Sequence, residues 1–539
     1  MAATTIDSSS ERIDYAATLS ERAKLLIMLG VLLGLFLEAL DQTIVATALP
    51  RIVSEFQGIN LVAWVSTGYL LASTALVPIY GKLSDVLGRR AIVIWGIVVF
   101  LIGSVLCGIA GSMIQLVIFR VIQGIGAAAL ASTAFAIPAD LYPPAERARA
   151  TGLIGATFGI ASILGPLVGG FLTDGPGWRW AFFVNIPFGI LALAVILTRM
   201  PKLNSGQRDP IDWLGTGLLL LAVVPLLLGL SLDKTLFPWN SPLIIGLFVA
   251  ALVAGVALIA VERRVASPVI ALPLFRIRAF GIVSLLSFLF GLAILPSVLF
   301  LPLFLVNVVG VSATAAGSAL IPQTLGLVAT AIIGANIVQR TGRYKPLILA
   351  GLALSGMSFV LLGTMGVNTS LLDVTWRMVV LGIGLGCAIP LLPLAGQNAV
   401  SYRDTGSATA NIQFFQQIGG VLGSVIAGAI LAAVLTSQFD ALVKPAIAQL
   451  PPAVQQQIDL DRLRNGSAGS EGAPAAGATP AAPLDPAVAV AVRQSFATSI
   501  TTLYLAAAVL AVAALLVALT LPEIPLRTTN NDDPVPIEA

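Results

Sequence analysis

The chain has 539 residues, of which 57% are apolar and only 10% charged, and its mean hydropathy is +0.97. A soluble domain carries about 25% charged residues, so this composition excludes a soluble enzyme or binding module and points to a polytopic membrane protein. The formal charge of +3 says little, there is no histidine, and the two cysteines, Cys107 and Cys387, stand in different apolar stretches, which gives neither a metal-ligand spacing nor a disulfide framework.

Residues 1–24 are polar and mixed in charge, with no short apolar core and cleavage site, so they read as a cytoplasmic tail rather than a signal peptide. Apolar stretches of about 20 residues, long enough to cross a bilayer as helices, occur near 25–49, 62–82, 91–110, 113–138, 149–172 and 180–199. Two more lie at 213–231 and 242–262, and six others at 280–307, 314–339, 346–365, 374–398, 405–435 and 497–521. The grouping predicts an all-α integral membrane protein with an N-terminal six-helix bundle (25–199), a linker holding two extra helices (200–279), a C-terminal six-helix bundle (280–521) and a cytoplasmic tail (522–539). Placing the N-terminus inside puts most basic residues inside, among them Lys82, Arg147, Arg149, Arg263, Arg264, Arg276, Arg278, Arg340, Arg343 and Lys345. That bias predicts a multi-pass protein of the cell membrane with both termini in the cytoplasm. Between spans 13 and 14 an outside loop is expected at 437–496. In it Leu442, Ile447, Leu450 and Val454 suggest a short surface helix, and the Gly/Ala/Pro/Ser-rich stretch 465–483 reads as a flexible tether, with a docking or gating element as the alternative.

Glu38 and Asp41 lie near the middle of the first span, Asp41 within LDQTIVATALP (40–50). A charge at the bilayer centre costs roughly 2.5–3.5 kcal/mol or more, which makes a membrane carboxylate a functional candidate. At about 100° per residue, Gly30, Gly34, Glu38, Asp41, Val45 and Ala48 share one face. Leu29, Leu32, Leu33, Phe36 and Leu40 gather opposite, so the acids should face the bundle and the bulky residues the lipid. Three residues apart, the acids are neighbours, and two carboxylates in one low-dielectric site cannot both ionise cheaply. A shared, exchangeable proton suits a proton carrier. The bland alternative is a structural acid paired with a base, for which Arg120, inside span 4, is the candidate.

The loop between spans 2 and 3 reads GKLSDVLGRR (81–90), in which Gly81 and Gly88 permit a tight connection and Asp85, Arg89 and Arg90 form a charge cluster. Span 4 carries RVIQGIGAA (120–128), span 5 GIASILGPLVGG (159–170), and WRWAFFVNIPFG (178–189) opens span 6. In this order and spacing the set closely resembles the major facilitator superfamily, and more narrowly its fourteen-span drug:proton antiporters, over nearly the whole chain. The resemblance implies the major facilitator fold and gives roles to matching positions. Asp41 belongs to the span 1 signature, and Gly81, Asp85, Gly88, Arg89 and Arg90 match a cytoplasmic latch between the halves. Arg120 matches an arginine that tunes proton binding near span 1, and Gly159, Gly165, Pro166, Gly169 and Gly170 match the antiporter motif. The span 5 glycines also have a packing rationale, because small residues four apart let helices approach closely and Pro166 offers a bend.

Two features depart from the family pattern. Val86 stands where a basic residue is common, and in the second half ANIVQRTGRY (335–344) puts Ala335 against Gly81 and Gln339 against Asp85, so the latch acid occurs once. The two-repeat plan places cargo near the midplane between the halves. Besides Glu38 and Asp41, candidate cavity residues are Tyr69, Gln123, Gln323, Asn411, Gln413 and Phe414, each of which could equally serve as an interhelical contact. The expected function is proton-coupled export of amphipathic, cationic, drug-like compounds by alternating access, and with it antibiotic resistance. A specific endogenous cargo (siderophore, lipid or metabolite) is the near alternative, and a non-transporting sensor the distant one. No GxxxxGK[ST] string supports ATP-driven pumping and no constellation supports an enzyme. No cofactor is expected beyond the proton as coupling ion. The expected partners are the lipid bilayer and small substrates, with no nucleic acid and no obligatory protein partner.

Overall fold

The computed structural model describes residues 15–56, 61–201, 212–232, 234, 236–265, 268–311, 313–401, 404–455, 458, 460, 463 and 485–526. Within them are fourteen helices long and apolar enough to cross a membrane, and no strand. Helices satisfy their own backbone hydrogen bonds, which an apolar stretch in lipid requires. The first six are α1 (Glu21–Phe56), α2 (Val62–Leu87), α3 (Arg89–Gly108), α4 (Met113–Leu141), α5 (Pro144–Asp174) and α6 (Asn185–Arg199). The extra pair is α7 (Trp213–Ser231) and α8 (Pro242–Glu262). The last six are α9 (Arg278–Phe304), α10 (Ile321–Thr341), α11 (Lys345–Gly363), α12 (Leu371–Ala388), α13 (Thr405–Gln438) and α14 (Pro486–Leu519).

The two sets of six repeat one packing scheme. In the first, α1 packs on α5 and α6, α2 on α4, and α3 on α4 and α6; in the second, α9 packs on α13 and α14, α10 on α12, and α11 on α12 and α14. The halves meet along two seams, α5 with α10 and α2 with α13. The extra pair packs on itself and lays α7 against α2 and α13, so it covers a seam between the halves. Leu219, Val223 and Leu227 of α7 meet Ala75 and Ile79 of α2 and Phe414 of α13 there. Its other flank, with Leu252, Val253 and Val256 of α8, is open to lipid.

The structure departs from expectation in three places. Leu40, expected to face lipid, is 2% exposed and packs with Ile44, Val45 and Phe182. The cause is that α1 is gripped by α4, α5 and α6 together, which leaves it a narrow lipid-facing arc. Residues 439–448 form no separate surface helix: α13 continues through a widened turn at Phe439–Val443 into Lys444–Ala448, with Ile447 and Leu450 packed on the C-terminal core. Helix α14 also begins well before the expected 497, at Pro486, capped by Asp485. The 465–483 stretch and residues 1–14 and 527–539 of the tails lie outside the described residues.

Candidate functional site

The small face of α1 turns both acids inward. Asp41 is fully buried (0% exposed) and Glu38 nearly so (5%), with Gly30, Gly34, Val45 and Ala48 buried on the same side. Helix α4 brings Arg120 and Gln123, three apart and therefore on one face, against Asp41. Arg120 Nη1 forms an ion pair with Asp41 Oδ2. Gln123 Nε2 donates to Asp41 Oδ1 at 2.8 Å, while its Oε1 accepts from Arg120 Nη1 at 2.7 Å. The guanidinium also donates from Nε to the Val65 carbonyl at 3.1 Å and lies 4.2 Å over the Tyr69 ring. Arg120 is thereby fixed on all sides, at 1% exposure.

The remaining contact to Asp41 comes from Asn185, at the start of α6, whose Nδ2 donates to Asp41 Oδ1 at 3.0 Å. Composition and spacing do not single this residue out. The signal available was an uncharged amide inside an otherwise apolar span, within the WRWAFFVNIPFG string. The opening of that string holds the far end of α1: Trp178 Nε1 donates to Glu55 Oε2 at 2.7 Å, and Arg179 pairs with Glu55 Oε1 at 2.8 Å while stacking 4.3 Å over Trp178. The hydrogen bonds from Arg179 and Trp178 hold the Glu55 carboxyl below the usual carboxylate range.

Every hydrogen-bonding partner described for Asp41 is a donor, one of them cationic. Glu38 differs. No ion pair to it is found among the described residues, and its Oε2 is buried without a hydrogen-bond partner. The site therefore holds one compensated carboxylate beside one uncompensated carboxyl group.

A second cluster joins the halves at the end of the molecule where α2 turns into α3. Gly88, at φ +91°, makes that turn. Asp85 pairs with Arg89 Nη2 at 2.5 Å, and Arg89 Nε reaches Asp140 of α4 at 3.0 Å while Nη1 donates to Ser84. Across the seam, Ser407 Oγ of α13 donates to Asp85 Oδ2 at 2.9 Å. Gly81 packs on Ala410, and a Cβ at Gly406 would strike Asp85 Oδ1 and come within 2.5 Å of both terminal nitrogens of Arg89. Nearby Gln397, on the short helix Leu391–Ala399, donates to the Phe135 carbonyl of α4 at 3.0 Å and to Thr409 at 2.9 Å, a further tie between the halves. Arg90 takes no part in this cross-seam cluster; its Nη2 donates to the Leu197 carbonyl of α6 at 2.6 Å. In the second half Gln339 is exposed, and Ala335 instead packs on Gly152 of α5, 3.3 Å from where its Cβ would be.

The span 5 glycines serve two interfaces. A Cβ at Gly159 would strike Val328 of α10 across the seam, and at Gly165 and Gly169 it would strike Thr43 and Thr47 of α1. Gly170 has open space around it and Pro166 lies inside the helix. Among the expected cavity residues, Tyr69 and Gln123 join the Asp41 group. Gln323 is buried on α10 with its backbone against Gly382 of α12. Asn411 and Gln413 are buried on α13, with Asn411 Nδ2 and Oδ1 and Gln413 Nε2 lacking partners among the described residues. Phe414 faces α7 and α2 in the apolar seam and rests edge-on against Phe415.

Comparison with known proteins agrees with this architecture. The model of the Major Facilitator Superfamily matches residues 31–424. Multidrug transporter protein MdtP of Bacillus subtilis is 38% identical over 76% of this chain and 75% of its own length. Multidrug resistance protein 3 of the same organism is 39% identical over 77% of the chain and 81% of its own length. In fold, the chain resembles the proton:xylose symporter XylE at a TM-score of 0.62 with 14% identity, over 95% of this chain and 98% of that one. The family match over residues 31–424 and the two multidrug relatives show that the chain belongs to the major facilitator superfamily.

Proposed function

We propose that this transporter exports amphipathic cations in exchange for protons, and that Glu38 is the exchanging acid. The observation that carries the reading is the contrast between the two acids: Asp41 is held by Arg120, Gln123 and Asn185, whereas Glu38 is buried with no counter-ion among the described residues and a free Oε2. A buried carboxyl group of that kind is neutral with a proton and needs a positive partner without one. A lipophilic cation supplies that partner, so proton and cargo compete for Glu38, and exchange follows without contact between them. The names of the multidrug relatives support the cargo class.

In this reading the Asp85–Arg89–Asp140 cluster and Ser407 hold one end shut, and the small-residue contacts of α5 with α10 allow the halves to rock. That end faces the cytoplasm of the cell membrane, where the Lys/Arg bias puts both termini. Gln323, Asn411 and Gln413 line the cargo path from the second half, with the unpartnered amides of α13 available to polar groups on the cargo. No cofactor, nucleic acid or protein partner takes part, and the protein is a carrier rather than an enzyme.

Reconstituted into proteoliposomes, the protein is expected to accumulate tetraphenylphosphonium against its gradient when the lumen is more acidic than the bath. Dissipating the pH difference with an ionophore should stop accumulation. Uphill transport that survives that dissipation contradicts proton coupling.

A further inference from the structure

We propose that residues 521–526, which follow α14, form a strap that fixes the short helix Leu391–Ala399 and thereby holds Gln397 in its tie to α4. The two halves build the same turn from different parts. Gly342, at φ +70°, turns α10 into α11 as Gly88, at φ +91°, turns α2 into α3, and Arg343 follows the one as Arg89 follows the other. In the first half two acids of its own helices, Asp85 and Asp140, hold that arginine. The second half has neither acid. Gln339 stands at the place of Asp85, and Asn398, next to last in its span, at the place of Asp140. The segment after α14 supplies partners instead. Arg343 Nε pairs with Glu523 Oε1 at 3.5 Å, and Asn398 Nδ2 donates to the carbonyls of Ile524 and Pro525 at 3.3 and 3.2 Å.

Residues 521–526 form no helix, since Pro522 and Pro525 have no N–H to donate to one. Leu521, Ile524 and Leu526 are buried instead in the apolar core of the second half, which also takes in Tyr344, Ala399 and Val400. Lys345 Nζ donates to the Leu519 carbonyl at the end of α14 at 3.1 Å, so the strap is anchored where it begins. The Arg343–Glu523 pair is largely exposed and adds little; apolar burial and the buried Asn398 amide hold the strap down. Asn398 stands one residue after Gln397, whose Nε2 donates to the Phe135 carbonyl of α4 across the seam. The strap therefore fixes the residue beside the tie from within the second half. On the reading that this end opens and closes during transport, removing the strap frees the end of the short helix and weakens the tie, with every cross-seam group still in place.

Two shortened chains separate the strap from the residues beyond it, one ending at Thr520 and the other at Arg527. Spin labels on Glu146→Cys and Gln339→Cys, exposed positions on opposite halves, report opening by double electron–electron resonance in lipid nanodiscs, since both native cysteines are buried. The tie is a neutral hydrogen bond, so the chain ending at Thr520 is expected to show a closed-to-open ratio about two- to tenfold lower. The chain ending at Arg527 should match wild type. Gln397→Ala is expected to lower the ratio as well, and removing the strap from Gln397→Ala should add nothing, because one bond is lost only once. A wild-type distribution in the chain ending at Thr520 overturns the proposal, as does a strap effect that adds in full to that of Gln397→Ala. If the chain ending at Thr520 does not fold, Asn398→Ala in the full chain decides: it should lower the ratio in the same way, and an unchanged distribution overturns the proposal. Failure of the underlying reading looks different, because Ser407→Ala then opens nothing either.

Discussion

Removal of the Ser407 hydroxyl tests whether the cross-seam cluster sets the conformational balance. In the closed arrangement Ser407 Oγ donates to the buried Asp85 carboxylate at 2.9 Å, from the other half of the molecule. Opening that end must break this bond, whereas the Asp85–Arg89 pair and the Arg89 contacts to Ser84 and Asp140 lie within one half and survive. A hydrogen bond to a charged acceptor contributes about 1.5–3 kcal/mol. Because the bond exists in one state only, Ser407→Ala should lower the closed-to-open ratio by about 10- to 150-fold. Both native cysteines are buried, so spin labels can be directed to cysteines introduced at the exposed Glu146 and Gln339, which sit on opposite halves at the ends of α5 and α10. Double electron–electron resonance should show Ser407→Ala gaining a longer-distance population. Ser84→Ala, which affects a contact within one half, should change the distribution much less. Identical distributions in Ser407→Ala and wild type would refute the argument.

Two other expectations concern packing and surface charge. Gly165→Ala should displace Thr43 and its bond to the Ala161 carbonyl, costing about 1–3 kcal/mol, whereas Gly170→Ala, in open space, should stay within about 0.5 kcal/mol; thermal unfolding of the two variants in detergent checks the contrast. Glu55 is held below the usual carboxylate range by Arg179 and Trp178, so its contribution is full above an unfolded value of about 4.5 and is lost as pH falls through the lower folded value. Because both partners are part-exposed, Glu55→Gln should cost at most about 1 kcal/mol at neutral pH, with the difference in melting temperature vanishing in acid.

Elements and faces were legible in the sequence to the degree that one physical rule governed them. Hydropathy alone sets the fourteen spans, because lipid leaves no other place for about 20 apolar residues. The inward face of Glu38 and Asp41 followed from helical period and residue size. Leu40 did not, since a wheel presumes a lipid-facing half and α1 is enclosed by three helices. Arg120 could be named as a partner because a lone base in a span must find an acid. Asn185, Asp140 and Ser407 carry no such imbalance: neutral or paired groups tens to hundreds of residues away acquire their roles only when helices are packed. Phe414 shows the same limit, as an aromatic in the run IQFFQQ fits a cavity or a seam equally well until α7 is seen against it.

Glu38→Gln tests proton coupling most directly. Proton flux driven by tetraphenylphosphonium should be recorded with a lumenal pH dye in proteoliposomes holding wild type or Glu38→Gln, alongside counterflow of labelled cation on the same preparations. Wild type is expected to move protons opposite to the cation. Glu38→Gln is expected to move none, while the protein, its Asp41–Arg120 group intact, remains folded and able to bind weakly or exchange cation downhill. Cation-driven proton flux at the wild-type level in Glu38→Gln would contradict the assignment of the exchanging acid.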